Sequence, residues 1–456
     1  MHAATLSSLR RFADSGENAM VVLYGNPCIS RAGLLQSFVR RERVFFYTAR
    51  CVTDREQRRL LAAELSAKGV MLPENAGYPD ILARIVSGIP AGERLILILD
   101  QFEHFFYEET DLLKTLVKLV RSPELKEKLF VLLVSDAEVW VENCFVACAG
   151  SAAAEISGFV KWRESGFAAL RAQFPGISLA DAILVYTVFG GETALWEFYD
   201  PTVSFRENLT ALFLTESRTG LQGLAMQRLR EQVREPAVYA TILANLAAGR
   251  EKLNDLYHAT GIPRAKLSVY MKTLMAPGFV EKVFSYGTAG AAQTKKGVYR
   301  ISNAFFRFYF TCIYPYESAR NMVSPEKFYD LYLSPALSQA ACHTFRKICT
   351  EYVEQLDAQG RLPFAIDGYG EWNGKAGAID IVAESETGET LIGLCSYDRI
   401  LTEEDYHFIL TYARQAGLHA DHCYLFSGAG FSAELTAAAH HVTGLRLIGM
   451  KELEHV

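Results

Sequence analysis

No stretch of this chain approaches the roughly 20 consecutive apolar residues of a membrane-spanning helix. Apolar runs such as Leu95–Leu99 and Phe130–Val134 are strand length. The first residues, MHAATLSSLRRFADSGENAM, hold no apolar signal-peptide core. The expected location is therefore the cytoplasm, with no membrane partner. No CxxC pair occurs among the nine cysteines. Cys312, Cys349 and Cys395 sit in apolar surroundings, which fits reduced core thiols better than disulfides or zinc sites. Cys144 and Cys148 have helical spacing but no second ligand pair, so no metal site is expected. Internal repeats and low-complexity linkers are also missing. What remains is an ordinary globular composition, 50% hydrophobic and 21% charged. The 456 residues suffice for about three domains.

Acidic residues are scarce in one segment. Residues 236–302 carry nine Lys/Arg (Arg250, Lys252, Arg264, Lys266, Lys272, Lys282, Lys295, Lys296, Arg300) against Glu251, Asp255 and Glu281. Nine minus three is +6 locally, which leaves −12 on the rest of a chain of net charge −6. Such asymmetry predicts one basic face and a polyanionic partner.

The string VVLYGNPCISRAGLL over Val21–Leu35 has the frame of a phosphate-binding loop without its reactive groups. An apolar strand runs into Gly25, and Asn26, Pro27, Cys28 and Ile29 follow. Ser30, Arg31 and Ala32 then stand where GxxxxGK[ST] has its second Gly, its Lys and its Ser/Thr. Residues Gly25 to Ala32 are the expected nucleotide-binding set, acting through backbone amides. Arg31 can hold phosphate. Ser30 carries a Cβ where Gly permits close approach, and Ala32 offers no hydroxyl to Mg²⁺. The alternative is a plain turn between strand and helix.

Apolar runs alternate with helical patterns through the first third. Strands are expected at Val21–Tyr24, Val44–Ala49, Leu95–Asp100 and Phe130–Ser135, with helices at Arg31–Arg40, Arg55–Lys68, Tyr78–Ser87 and Asp111–Val120. This predicts a parallel sheet with helices on both faces. Residues 155–235 read as helical, with a GGE turn at Gly190–Glu192 and no strand pattern. Three helices with turns at Ala248–Gly249 and Gly261–Pro263, then a hairpin through Val298–Ile301, give the layout of a winged helix–turn–helix. From about residue 340 a separate α/β module is expected. Its helices lie at Thr344–Leu356 and Glu403–Ala416, and its strands at Ala378–Ala383, Thr390–Cys395 and Cys423–Phe426.

Seven strings in order carry a family resemblance. They are VVLYGNPCISRAGLL, LILILDQFEHF, VYTVFGGETALWEFYD, REPAVYATILANLAAGREKLNDLYHATGIPRAKLSVYMKTL, GVYRISNAFFRFYFTCIYP, GAIDIVAES and CYLFSGAGF. Together they resemble the archaeal-type AAA-like P-loop ATPases that carry a C-terminal domain of uncharacterised function, over nearly the whole chain. The resemblance implies an α/β fold: a P-loop NTPase-like parallel sheet (1–154), a helical lid (155–235), a winged helix–turn–helix (236–315) and a module like a PD-(D/E)xK nuclease (316–456).

It also implies site residues, several of them altered here. The family's Asp-Glu after the third strand reads Asp100-Gln101. Gln can orient a water but cannot take its proton. Glu103 is a substitute acid that would point differently in an extended segment. Ser135 stands near a γ-phosphate-sensing position, and Gly150-Ser151 where the family has Gly-Arg. Phosphoryl transfer needs Lys, metal and Arg together, so the losses compound. In the winged helix, Arg264, Lys266, Ser268 and Lys272 are expected on one side for phosphate contact, with Leu267, Met271 and Leu274 inward and Lys295 and Lys296 in the wing. The last module keeps Asp380 but has Leu394-Cys395-Ser396 at the Glu-x-Lys positions and Arg346 where an acid often stands. An Arg346–Asp380 ion pair is the expected consequence.

The resulting expectation is a degenerate family member. It would be a non-hydrolysing nucleotide- or DNA-binding regulatory or scaffold protein, with residual Asp100, Gln101 and Asp380 but no catalytic residue. The expected cofactor is weakly held ATP or ADP, without Mg²⁺. The expected partners are duplex DNA, through the winged helix, and another protein. Two alternatives stay open: an active ATPase using Arg31, and a DNA-processing subunit completed by a partner.

Overall fold

The computed structural model describes residues 3–25, 32–39, 43–73, 75–90, 93–106, 110–215, 221–287, 297–374 and 377–454. The chain divides into two compact units, 1–164 with 276–278, and 165–275 with 279–456.

The first unit is a five-stranded parallel sheet of β1 (Ala19–Gly25), β2 (Arg43–Thr48), β3 (Leu95–Asp100), β4 (Leu129–Ser135) and β5 (Gly158–Trp162). The strand order is β2-β3-β4-β1-β5, and every pairing is parallel. Successive side chains of a strand point to opposite faces. Met20, Val22, Leu97 and Leu99 accordingly enter one apolar layer, while Val21, Leu23, Ile96 and Ile98 enter the other. A sheet buried on both faces selects continuous apolar strands, which is why β1, β3 and β4 stand out in the sequence. β5 lies inside the stretch read as having no strand. It is a short edge strand in which Val160 and Trp162 alone are fully buried, so it presents no apolar run.

The second unit is helical through residue 275. It includes Phe167–Gln173, Leu179–Phe189 and Leu221–Gln232, followed by Pro236–Ala247, Leu253–Thr260 and Arg264–Met275. An antiparallel hairpin follows, β6 (Val280–Val283) with β7 (Val298–Ile301). After the 25-residue helix Ser334–Ala358 come β8 (Gly368–Asn373), β9 (Ala378–Glu384), β10 (Thr390–Ser396), β11 (His422–Ser427) and β12 (Leu445–Ile448). The sheet order is β12-β11-β10-β9-β8. β8, β9 and β10 form an antiparallel meander, while β10, β11 and β12 run parallel. Helix Glu403–Ala416 crosses between β10 and β11 and starts in a Thr402/Asp405 capping box. The end of the hairpin is tied to the edge strand β8. Tyr286 N donates to Glu371 O at 2.7 Å, and Asn373 N donates to Ser285 Oγ at 2.9 Å. Among the described residues no helix is long and apolar enough to cross a membrane.

Candidate functional site

Parallel sheets of this kind bind ligands at the carboxyl ends of their strands. In the first unit that end gathers Gly25, Thr48, Asp100, Gln101 and Ser135. Asn26 to Arg31 lie outside the described residues, and helix Ala32–Phe38 resumes directly after them. Gly25 has a packing reason of its own. A Cβ there would stand 2.6 Å from Trp162 O and 2.7 Å from the Trp162 ring. The residue type that marks a phosphate loop is also what the buried Trp162 requires.

Asp100 is 5% exposed and accepts a hydrogen bond from Thr48 Oγ1 at 3.4 Å. Ser135, fully buried, accepts from Ala137 N at 3.0 Å, so its oxygen serves the turn after β4. Glu103 does not continue an extended segment. Phe102–Phe106 is a tight 3₁₀ turn, because Phe102 and Phe105 are buried and Phe102 stacks edge-on to Phe145 at 4.9 Å. Sequence reasoning missed Lys161 of β5, whose ammonium lies 2.5 Å from Glu138 and 2.9 Å from Glu142. Burial lowers the Lys161 pKa and the two carboxylates raise it, with a net rise. These partners are about 20 residues apart in the chain, so no local pattern announces them.

Gln101 is in the left-handed region, at φ +53°. This conformation strains a residue with a Cβ by about 1–2 kcal/mol. Gln101→Gly should remove the strain at some entropic cost, for a net gain of about 0.5–1 kcal/mol. Thermal unfolding checks this, and an unchanged or lowered transition overturns it.

In the second unit, helix Arg264–Met275 buries Leu267, Met271 and Leu274 and exposes Arg264, Ala265, Lys266, Ser268, Val269 and Lys272. No acidic residue lies along it. The Arg264 guanidinium stacks 4.8 Å above the Tyr257 ring and contacts Asn254 Oδ1. Lys295 and Lys296 lie outside the described residues. One cation of the +6 segment is internal: Arg300, 12% exposed, pairs with Glu251 at 3.0 Å and Glu371 at 2.7 Å. Its charge is compensated inside the unit and adds nothing to a basic face.

Asp380 of β9 is 7% exposed and pairs with Arg346 of the 25-residue helix, Nε to Oδ1 at 2.7 Å, without the alignment of a hydrogen bond. Cys395 N donates to its other oxygen at 2.8 Å. Burial raises the Asp380 carboxyl above the ordinary range; Arg346 and the Cys395 N–H oppose the rise without cancelling it. The Cys349 and Cys395 thiols lie beside this pair, and burial raises both. Both carboxylate oxygens of Asp380 are thus engaged by protein groups.

A protein family designated DUF234, described as archaeal and bacterial proteins of unknown function, matches residues 309–408. That stretch contains both Arg346 and Asp380. The uncharacterized protein MJECL04 of Methanocaldococcus jannaschii is 21% identical over 388 residues, covering 83% of this chain and 82% of that protein. Among solved structures, the Walker-type ATPase PABY2304 of Pyrococcus abyssi is 13% identical, with a TM-score of 0.47, over 68% of this chain and 95% of that one. The ORC2 protein of Aeropyrum pernix, solved as ADPNP–ADP complexes, is also 13% identical. Its TM-score is 0.38, over 75% of this chain and 92% of that one.

Proposed function

We propose that this chain is a duplex-DNA-binding scaffold or regulatory protein on an ATPase-type frame that does not hydrolyse ATP. The observation that carries the reading is the acid-free, solvent-facing surface of helix Arg264–Met275. With its two preceding helices and the β6–β7 hairpin, this helix is read as the recognition helix of a winged helix–turn–helix. Arg264, Lys266, Ser268 and Lys272 would meet phosphate oxygens, fixing position on the duplex.

The two other sites support a non-catalytic role. The phosphate-loop motif lacks Lys and a Mg²⁺-holding hydroxyl, and Gln101 replaces the water-polarising acid. Weak ATP or ADP binding through backbone amides is the residual activity proposed there. In the C-terminal module, the helix, meander, helix and parallel strand follow the order of a PD-(D/E)xK nuclease core. Its retained Asp380 is held by Arg346 and the Cys395 N–H, in place of a metal.

Fluorescence anisotropy with a mixed-sequence duplex at about 50 and about 200 mM salt tests the DNA reading. Affinity should fall steeply with salt. Arg264→Glu with Lys266→Glu should weaken binding by about 10- to 100-fold at the lower salt and flatten the slope. Equal binding by the reversed and parent proteins overturns the assignment. Steady phosphate release from ATP that disappears in Asp100→Ala overturns the non-hydrolysing part.

A further inference from the structure

Helix Arg264–Met275 has an apolar apex. At 3.6 residues per turn, the direction opposite the buried row Leu267, Met271 and Leu274 is occupied by Ala265 and Val269. Val269 is 61% exposed, among the more exposed large apolar side chains described. Lys266 lies on one flank, and Ser268 and Lys272 on the other, with Arg264 further round toward Tyr257. The four polar residues expected to share one side therefore bracket an apolar line. A β-branched residue is a poor choice for a solvated helix position, and Val269 gains little from burial within the fold.

In a major groove, flanking side chains meet the backbones and the apex meets the base edges. Val269 has no donor or acceptor. The base-edge group that matches an aliphatic apex is the C5-methyl of thymine. We infer that Val269 is a specificity-determining residue that reads thymine in the duplex this protein binds. The inference rests on the DNA-binding reading above.

A test can separate the two. Duplexes are selected from a randomised pool with the full chain, and single thymines of the enriched site are replaced by deoxyuridine, which lacks only the methyl. For the parent protein, one or two replacements should weaken binding about three- to fivefold, the value of one buried methyl group. Val269→Ala, an exposed change that leaves the core intact and withdraws the two γ-methyl groups, should cut the difference between thymine and deoxyuridine duplexes to less than about twofold. If the parent binds no duplex, the DNA-binding reading itself fails. If it binds but ignores every replacement, or if Val269→Ala keeps the difference, the Val269 assignment alone is overturned.

Discussion

Glu192→Ala is expected to lower the stability of the second unit by about 3–5 kcal/mol, the usual consequence of breaking a buried ion pair. Glu192 is 2% exposed and ends the GGE turn. Its carboxylate lies 2.9 Å from the Arg228 guanidinium and accepts from Asn303 Nδ2 at 2.7 Å. Asn303 in turn uses its amide oxygen to cap helix Ala304–Phe308, accepting from Phe306 N at 2.9 Å. One carboxylate therefore ties three segments, at residues 192, 228 and 303. Gly190, two positions before it, is at φ +55°, and a Cβ there would stand 2.7 Å from Ala304 Cβ, so the turn sits close against that helix. Glu192→Gln keeps the acceptor for Asn303 and loses only the charge, and should fall between parent and Ala variant. Urea unfolding followed by circular dichroism measures both. A change under about 1 kcal/mol for Glu192→Ala, the level of a surface ion pair, would show that the junction is not a stabilising one.

Asp380→Ala should also destabilise, by about 2–3 kcal/mol. This is less than for a fully buried pair, because the Arg346 side chain is 35% exposed and keeps part of its hydration. The variant also leaves the Cys395 N–H without its carboxylate acceptor, and an unmade buried hydrogen bond adds to the loss. Replacing both partners, Arg346→Met with Asp380→Ala, should recover part of the loss by removing the unpaired Arg346 charge, while the cost of the unmade Cys395 N–H bond remains. A metal-binding Asp380 predicts otherwise. Mg²⁺ or Mn²⁺ would then raise the melting temperature of the full chain, and Asp380→Ala would remove the increase. That outcome would overturn the ion-pair account and restore a metal site to this module.

The amino-acid sequence by itself determined the elements whose residues bury on local periodicity. Val21–Tyr24, Leu95–Asp100 and Phe130–Ser135 read as strands because a strand covered on both faces is a near-continuous apolar run, polar here only at the carboxyl-end Asp100 and Ser135. Leu267, Met271 and Leu274 read as the inner row of a helix because a helix buries one stripe. The missing Lys, second Gly and Ser/Thr of the phosphate loop are equally a matter of sequence, since each depends on one residue type at a fixed spacing. Tertiary structure alone decided what depends on partners distant along the chain. β5 exists because β1 offers it an edge, and β8 (GYGEWN) carries too many glycines to be read as a strand. Arg300 counts as a surface cation in sequence, yet Glu371, 71 residues away, compensates it. Glu192 finds Arg228 and Asn303, and Lys161 finds Glu138 and Glu142, only when the chain is folded. An ion pair leaves no periodic trace, because either charge is equally at home in water. Burial, which the fold decides, is what makes the partner obligatory.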